Sequence, residues 1–263
     1  MRTDGLASAV SLAPRGKRIG MLTPSSNTVL EPVTSAILMG VTGVTVHYSR
    51  LRVTQIALSE DAGAQFAAAP MLAAARMLAD ALVDVIVWNG TAGSWLGLDY
   101  DRELCAMIAA ETGVPATTSA LALADAYAAF GVRRIGLVTP YTADVNEAIA
   151  ANYALAGLTC PVKLGCGLRM NEQFACVEPE AVEEMIRIAA ASPETDAVAV
   201  VCTNMDGARL AAKAERAYGK PILDSVATTA WQALALTGMP QPKLTDQWGR
   251  VFAVPCEKGE RGE

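Results

Sequence analysis

Histidine is almost missing from this chain: among 263 residues only His47 carries an imidazole. That scarcity removes Ser-His-Asp and Cys-His catalysis unless His47 itself lies in the site. It also argues against a zinc centre, as do the six cysteines, at positions 105, 160, 166, 176, 202 and 256, none of which form a CxxC pair. A disulfide framework is not expected in a reducing cytosol. There is no long basic block, and the formal net charge is −6, so a nucleic-acid surface is not expected. No apolar run approaches the roughly 20 residues that span a bilayer. The stretch Met1–Lys17 sets Arg2, Asp4, Arg15 and Lys17 around a weak apolar patch without a proper hydrophobic region. It reads as a disordered tail rather than a signal peptide, which points to the cytoplasm. Any catalysis must then rest on thiol, hydroxyl, carboxylate or backbone dipoles, with no metal.

Apolar content is ample, at 52% of residues, enough for a sizeable core. Short β-branched runs alternate with helical stretches, which gives parallel sheets covered on both faces. The pattern occurs twice. Arg18-Ile-Gly-Met-Leu-Thr23 matches Arg134-Ile-Gly-Leu-Val-Thr139, each followed by proline. Asp84-Val-Ile-Val-Trp-Asn-Gly-Thr-Ala92 matches the run from Asp196 to Asn204, and Gly113-Val-Pro-Ala-Thr-Thr-Ser119 is echoed from Gly219 to Ser225. The offsets are 116, 112 and 106, as for two copies with small loop deletions. A period of half the chain implies two pseudosymmetric α/β lobes rather than a solenoid. The expected division is a tail at 1–17, a first lobe at 18–118 plus 226–253, a second at 119–225, and a tail at 254–263. Helices are expected over 29–38, 62–82, 101–112, 120–130, 145–156, 179–191 and 207–218.

Ligands in open α/β sheets bind beyond the carboxyl ends of the strands. The loops Thr23–Thr28, Asn89–Ser94, Thr139–Asp144 and Cys202–Gly207 all follow strands, and two facing lobes would gather them around one cleft. The repeat lays Gly90 on Cys202 and Thr91 on Thr203. A buried cysteine often serves merely as a small apolar residue, but Cys202 stands at a strand end within that pair. Its apolar surroundings favour the neutral thiol, a proton donor, while a following helix N-terminus would favour thiolate. Backbone N–H groups around Thr91, Ala92, Thr203 and Asn204 suit carboxylate or enolate oxygens, and they equally suit helix capping. Tyr141 can offer a phenol to the same anion, or be a plain loop tyrosine. Pro24, Asn27 and Asn171 are further candidates for the substrate site. Gly165-Cys-Gly167 lacks the third glycine of a dinucleotide loop. The remaining cysteines fall on helices or loops, with no chemistry assigned.

These residues resemble the aspartate/glutamate racemase superfamily, in its maleate isomerase and arylmalonate decarboxylase branch, from Arg18 to about Phe252. Thr23-Pro-Ser-Ser-Asn-Thr-Val-Leu-Glu-Pro32 and Cys202-Thr-Asn204 are similar to maleate isomerases. Gly90-Thr91, Gly131–Tyr141, Asp144-Val-Asn-Glu147 and Gly249-Arg-Val-Phe252 are similar to arylmalonate decarboxylases. The resemblance implies two lobes, a cleft between them and no cofactor. It further implies that two-cysteine members use one thiol from each lobe, whereas the decarboxylases have glycine at the first position, as Gly90 is here. By that resemblance the chain is a cofactor-independent carboxy-lyase acting on a substituted malonate-type dicarboxylate. An enediolate would be held by Thr91, Ala92, Tyr141 and Thr203, each donor worth roughly 3–4 kcal/mol, and protonated by Cys202. Ala92 departs from the decarboxylase pattern, where a hydroxyl is expected, and Asn27, Thr203 and Asn204 would suit a second carboxylate. The alternatives are a maleate cis-trans isomerase without the first-lobe thiol and a carboxylate-binding protein without turnover. Exposed Ala-rich helices are compatible with a homo-oligomer.

Overall fold

The computed structural model describes residues 15–59, 64–239 and 243–256. Most of each expected tail, residues 1–14 and 257–263, lies outside the described residues. Lys17 already opens a strand, and the Val254 carbonyl accepts the Trp231 indole N–H at 3.0 Å.

Two four-stranded parallel sheets form the frame. The first orders Lys17–Pro24 (β1), Val44–Leu51 (β2), Val85–Trp88 (β3) and Ala116–Thr118 (β4) as β2-β1-β3-β4. The second orders Arg134–Tyr141 (β5), Thr159–Leu168 (β6), Ala197–Val200 (β7) and Ile222–Asp224 (β8) as β6-β5-β7-β8. The repeat read from the sequence is thus a repeat of topology, and it extends to single hydrogen bonds. Asp84 N–H donates to Arg18 O and Asp196 N–H to Arg134 O, both at 2.7 Å, while the two carboxylates accept the Arg18 and Arg134 N–H groups at 2.8 and 2.9 Å. Ile86 N–H reaches Pro115 O, and Val198 N–H reaches Pro221 O, both at 2.9 Å. The central strands are buried along their length, which explains their near-continuous apolar runs.

The helices are Leu30–Leu38 (α1), Ala68–Asp80 (α2), Gly93–Leu96 (α3), Leu98–Thr112 (α4), Ser119–Ala129 (α5), Ala143–Leu155 (α6), Asn171–Phe174 (α7), Pro179–Ala191 (α8), Ala208–Tyr218 (α9), Ser225–Leu236 (α10) and Thr245–Trp248 (α11). Three differences from the sequence reading have physical causes. The helix expected over 62–82 (62 and 63 lie outside the described residues) is divided into a 3-10 turn at Ala64–Phe66 and α2, with Ala67 extended between them. Pro70 is the reason: within a longer helix its ring would strike the carbonyl one turn earlier, but in the first turn of α2 it is tolerated. Helix α10 has no counterpart in that reading, because every residue from Ser225 to Leu234 is buried and no polar face marks a helical period. It packs on α5, α1 and both sheets, and Asp224 caps it by accepting Val226 and Ala227 N–H at 2.8 and 3.0 Å. Finally, Cys160 and Cys166 lie not on a helix or loop but on β6, an edge strand whose residues alternate between exposed and half-buried.

Among the described residues no helix is long and apolar enough to cross a membrane. None of them forms a group of three or more His, Cys, Asp or Glu side chains that could hold a metal ion.

Candidate active site

The strand-end loops of both sheets meet. A cavity of about 20 Å³ between them is lined by Pro24, Gly90, Thr91, Ala92, Tyr141, Asn171, Cys202 and Thr203. Eight of the ten candidate residues therefore share one small space. Val53, Ile56, Phe66, Trp88, Asn89 and Trp95 complete its walls. That volume holds about one water, so the walls are closed upon one another. A larger cavity, about 700 Å³, lies against α4, α5 and α6, but its lining contains no thiol. Eight of the candidate residues line the small one.

Asn27 and Asn204 do not line the cavity. Their side chains tie the lobes together behind it. Asn27 Oδ1 accepts Val29 and Leu30 N–H at 3.0 and 2.9 Å, capping α1, while its Nδ2 donates to Thr203 Oγ1 at 3.0 Å. Asn204 Oδ1 accepts Thr28 N–H at 2.9 Å, and its Nδ2 donates to Asn171 O at 2.6 Å. Thr203 Oγ1 in turn donates to Asn89 O at 2.9 Å. The Asn27, Thr203 and Asn204 side chains are thus spent on protein groups. His47 sits half-buried on β2, 3.0 Å from Thr45 Oγ1, and is absent from the cavity lining.

Cys202 follows β7 and is 3% exposed. Its N–H donates to Ser225 Oγ at 3.1 Å, and Ser225 Oγ donates to Val200 O at 2.9 Å, so the backbone carrying the thiol is braced by the start of α10. The sulfur accepts Asn204 N–H at 3.3 Å. Burial pushes the thiol up to about 12, against smaller lowering effects of the Tyr141 hydroxyl and the Asn204 N–H. It is a neutral thiol at physiological pH. Ser225 escaped the sequence reading, although the repeated Gly113–Ser119 and Gly219–Ser225 segments both end in serine.

Beside the thiol, Thr91 Oγ1 and Tyr141 Oη lie 3.0 Å apart, joining the first lobe to the second. Tyr141 is the buried last residue of β5, not a loop residue, and burial holds its phenol well above the ordinary range. Its ring meets Trp95 and Phe174 edge-on at 5.5 and 5.4 Å, and Phe66 meets Trp95 at 6.1 Å. This aromatic row fixes where the phenol points. No backbone hydrogen bond among the described residues takes up the N–H groups of Thr91, Ala92 or Thr203. Two hydroxyls and one neutral thiol thus share the cavity lining with three residues whose N–H groups no backbone bond takes up. Such a set can stabilise a developing oxyanion and deliver a proton.

Gly90 is the position that pairs with Cys202 in the repeat. A Cβ built there would lie 2.5 Å from Trp88 Cζ2 and closer still to Cε2 and Nε1. The indole fills the place that a first-lobe side chain would take. Strand alternation sets residues 88 and 90 on the same face, which was a readable signal for Trp88.

A family model for arylmalonate decarboxylase matches residues 34–252. The arylmalonate decarboxylase of Bordetella bronchiseptica is 31% identical over 183 residues, covering 68% of this chain and 75% of that protein. The maleate isomerase of Nocardia farcinica is 26% identical over 231 residues, covering 85% and 91%. Among solved structures, the Nocardia farcinica maleate cis-trans isomerase bound to TRIS superposes with a TM-score of 0.79 at 25% identity, covering 90% of this chain and 97% of that one. A liganded double mutant of arylmalonate decarboxylase gives 0.78 at 26%, covering 90% and 98%. Both activities are therefore represented among relatives of comparable similarity. The two lobes, the facing strand-end loops and the match over most of the sequence lead to one conclusion: the chain belongs to the arylmalonate decarboxylase family.

Proposed function

We propose that the protein is a cofactor-independent decarboxylase of a substituted malonate-type dicarboxylate. The observation that carries this reading is the single thiol of the cavity: Cys202 shares the lining with Gly90, whose side-chain space is taken by Trp88. One thiol suffices to protonate a carbanion. A cis-trans isomerisation by addition to the double bond needs a group that adds and a second that protonates.

In this reading the walls, closed in this structure around about 20 Å³, part to admit the substrate, whose first carboxylate sits among the Thr91 hydroxyl, the Tyr141 phenol and the N–H groups of Thr91, Ala92 and Thr203. The second faces the apolar wall of Val53, Ile56 and Phe66, where loss of hydration disfavours its charge. The bond from this second carboxyl carbon to Cα breaks and CO₂ leaves. Its electron pair moves into the retained carboxylate, giving an enediolate whose two negative oxygens face the donors. Cα then takes the Cys202 Sγ proton. A thiol held near 12 remains protonated until such a strong base forms beside it, and the thiolate regains its proton from solvent. One thiol on one face gives one enantiomer.

The test is direct. Phenylmalonate, methylmalonate and maleate are incubated separately with the enzyme and followed by NMR. Loss of CO₂ from a malonate without conversion of maleate to fumarate is the expected result. Fumarate formation without decarboxylation would sink the proposal in favour of the isomerase.

A further inference from the structure

Trp88 is one of two tryptophans in the cavity wall, and the chemistry above does not use it. It is fully buried at the end of β3, and its Nε1–H has no hydrogen-bond partner. A buried indole N–H normally finds an acceptor, and leaving one without costs about 1–3 kcal/mol. The donor is also not hidden behind the wall at random. It abuts the point where a Cβ on Gly90 would stand, and that point is the repeat mate of the Cys202 Cβ. Trp88, Gly90 and Cys202 line the same cavity, so the unsatisfied N–H belongs to the wall that also carries the thiol.

We infer that Trp88 is a substrate-binding residue that takes the place of a first-lobe thiol: its Nε1–H donates to a carboxylate oxygen of the bound dicarboxylate, and its ring closes the face opposite Cys202. This inference rests on the dicarboxylate reading of the site. The physical logic has two halves. A fixed donor to which no protein group offers an acceptor can give its hydrogen bond to an entering carboxylate, where it contributes to binding. The ring also excludes any proton donor from that face, so protonation stays with Cys202. The ligand chemistry is a carboxylate with an oxygen directed to the first-lobe strand end, beside rather than within the Thr91 and Tyr141 donor pair.

The experiment uses the Cys202→Ala chain, so that phenylmalonate binds without turning over, and records the ¹H–¹⁵N spectrum during titration. The sequence has four tryptophans, and the Trp88 indole signal is identified by its loss in Trp88→Phe. On saturation that signal is expected to move downfield while those of Trp231 and Trp248, which lie outside the cavity lining, stay in place. In the otherwise unaltered enzyme, Trp88→Phe is expected to raise KM about tenfold, or about 1.4 kcal/mol, with a smaller change in kcat. Should phenylmalonate shift the Thr91 and Thr203 amides yet leave the Trp88 indole signal in place, the role of Trp88 is overturned and the site stands. Should neither phenylmalonate nor methylmalonate shift those amides, the dicarboxylate reading fails and this inference with it. Where Trp88→Phe folds poorly, the Trp88 signal is identified as the indole that persists in each of Trp95→Phe, Trp231→Phe and Trp248→Phe, so the titration still decides the matter.

Discussion

Thr91 Oγ1 and Tyr141 Oη share a hydrogen bond of 3.0 Å across the two lobes, one hydroxyl from each copy of the repeat. Neither residue alone makes a site. Together they place two O–H groups within reach of one oxygen, at the wall of a cavity of about 20 Å³.

Tyr141→Phe keeps the aromatic row with Trp95 and Phe174 and removes only the O–H. Turnover of the malonate substrate is expected to fall about 10²–10³-fold, with a stability loss near 1 kcal/mol. CO₂ release kinetics beside thermal melting measure both. A loss of stability that matches the loss of activity would point to a structural tyrosine instead.

Cys202→Ala is expected to abolish product formation while phenylmalonate still binds, measured by calorimetry. The thiol itself should be hard to alkylate. With burial holding it near 12, its iodoacetamide reactivity should rise tenfold per pH unit up to pH 10 and show no plateau near 9. Exposed Cys176 provides the reference in the same peptide map. A plateau for Cys202 below pH 9 would mean an activated thiolate and a different mechanism.

Gly90→Cys alone drives its Cβ into the Trp88 indole, so the variant should lose about 1–3 kcal/mol of stability. Trp88→Ala combined with Gly90→Cys gives that side chain room. The double variant is expected to exchange the α-proton of a 2-arylpropionate with deuterium from both faces, seen by NMR as racemisation. Exchange that remains confined to one enantiomer would mean that positions 90 and 202 do not face each other.

Asp101 is buried behind α3, with Thr118 donating to one carboxylate oxygen and no hydrogen bond to the other. Burial raises it to about 7 from 3.8, against the lowering influence of Thr118 and Arg102; burial likewise raises Asp224 to about 7. A folded-state value above the unfolded one means that the folded chain holds a proton the unfolded chain has released. Stability from these groups is therefore fullest below pH 4, declines as pH rises to about 7, and is level above that. Denaturant midpoints between pH 4 and 9 should show this fall, on the order of a few kcal/mol, and Asp101→Asn should flatten it. An unchanged slope in Asp101→Asn would assign the fall elsewhere.

The sequence made much of this legible because the molecule says most things twice. Arg18–Thr23 beside Arg134–Thr139, and Asp84 beside Asp196, exposed both sheets, their order of use and the residue opposite Cys202. What escaped had no such echo or no visible period. Helix α10 is buried on every side, so no polar stripe betrayed it. Pro70 divided a helix whose alanines all favoured continuity. Asn27 and Asn204 each pair across the lobes, Asn27 donating to Thr203 Oγ1 and Asn204 accepting from Thr28 N–H, and such pairing is decided by tertiary approach rather than by spacing. Trp88 could have been read from its place two residues before Gly90, and the missing side chain there is legible only beside the ring that fills it.

Helices α5 and α10 have one more consequence. Each begins where the last strand of one sheet ends, yet they pack against each other, and α10 also lies on α1, β3 and β8. The two halves are therefore not separable modules that happen to touch. Cutting the chain between β4 and β5 would strip apolar surface from both at once. Denaturation should thus appear as a single transition, with fluorescence and circular dichroism falling together, and neither half expressed alone should hold its sheet.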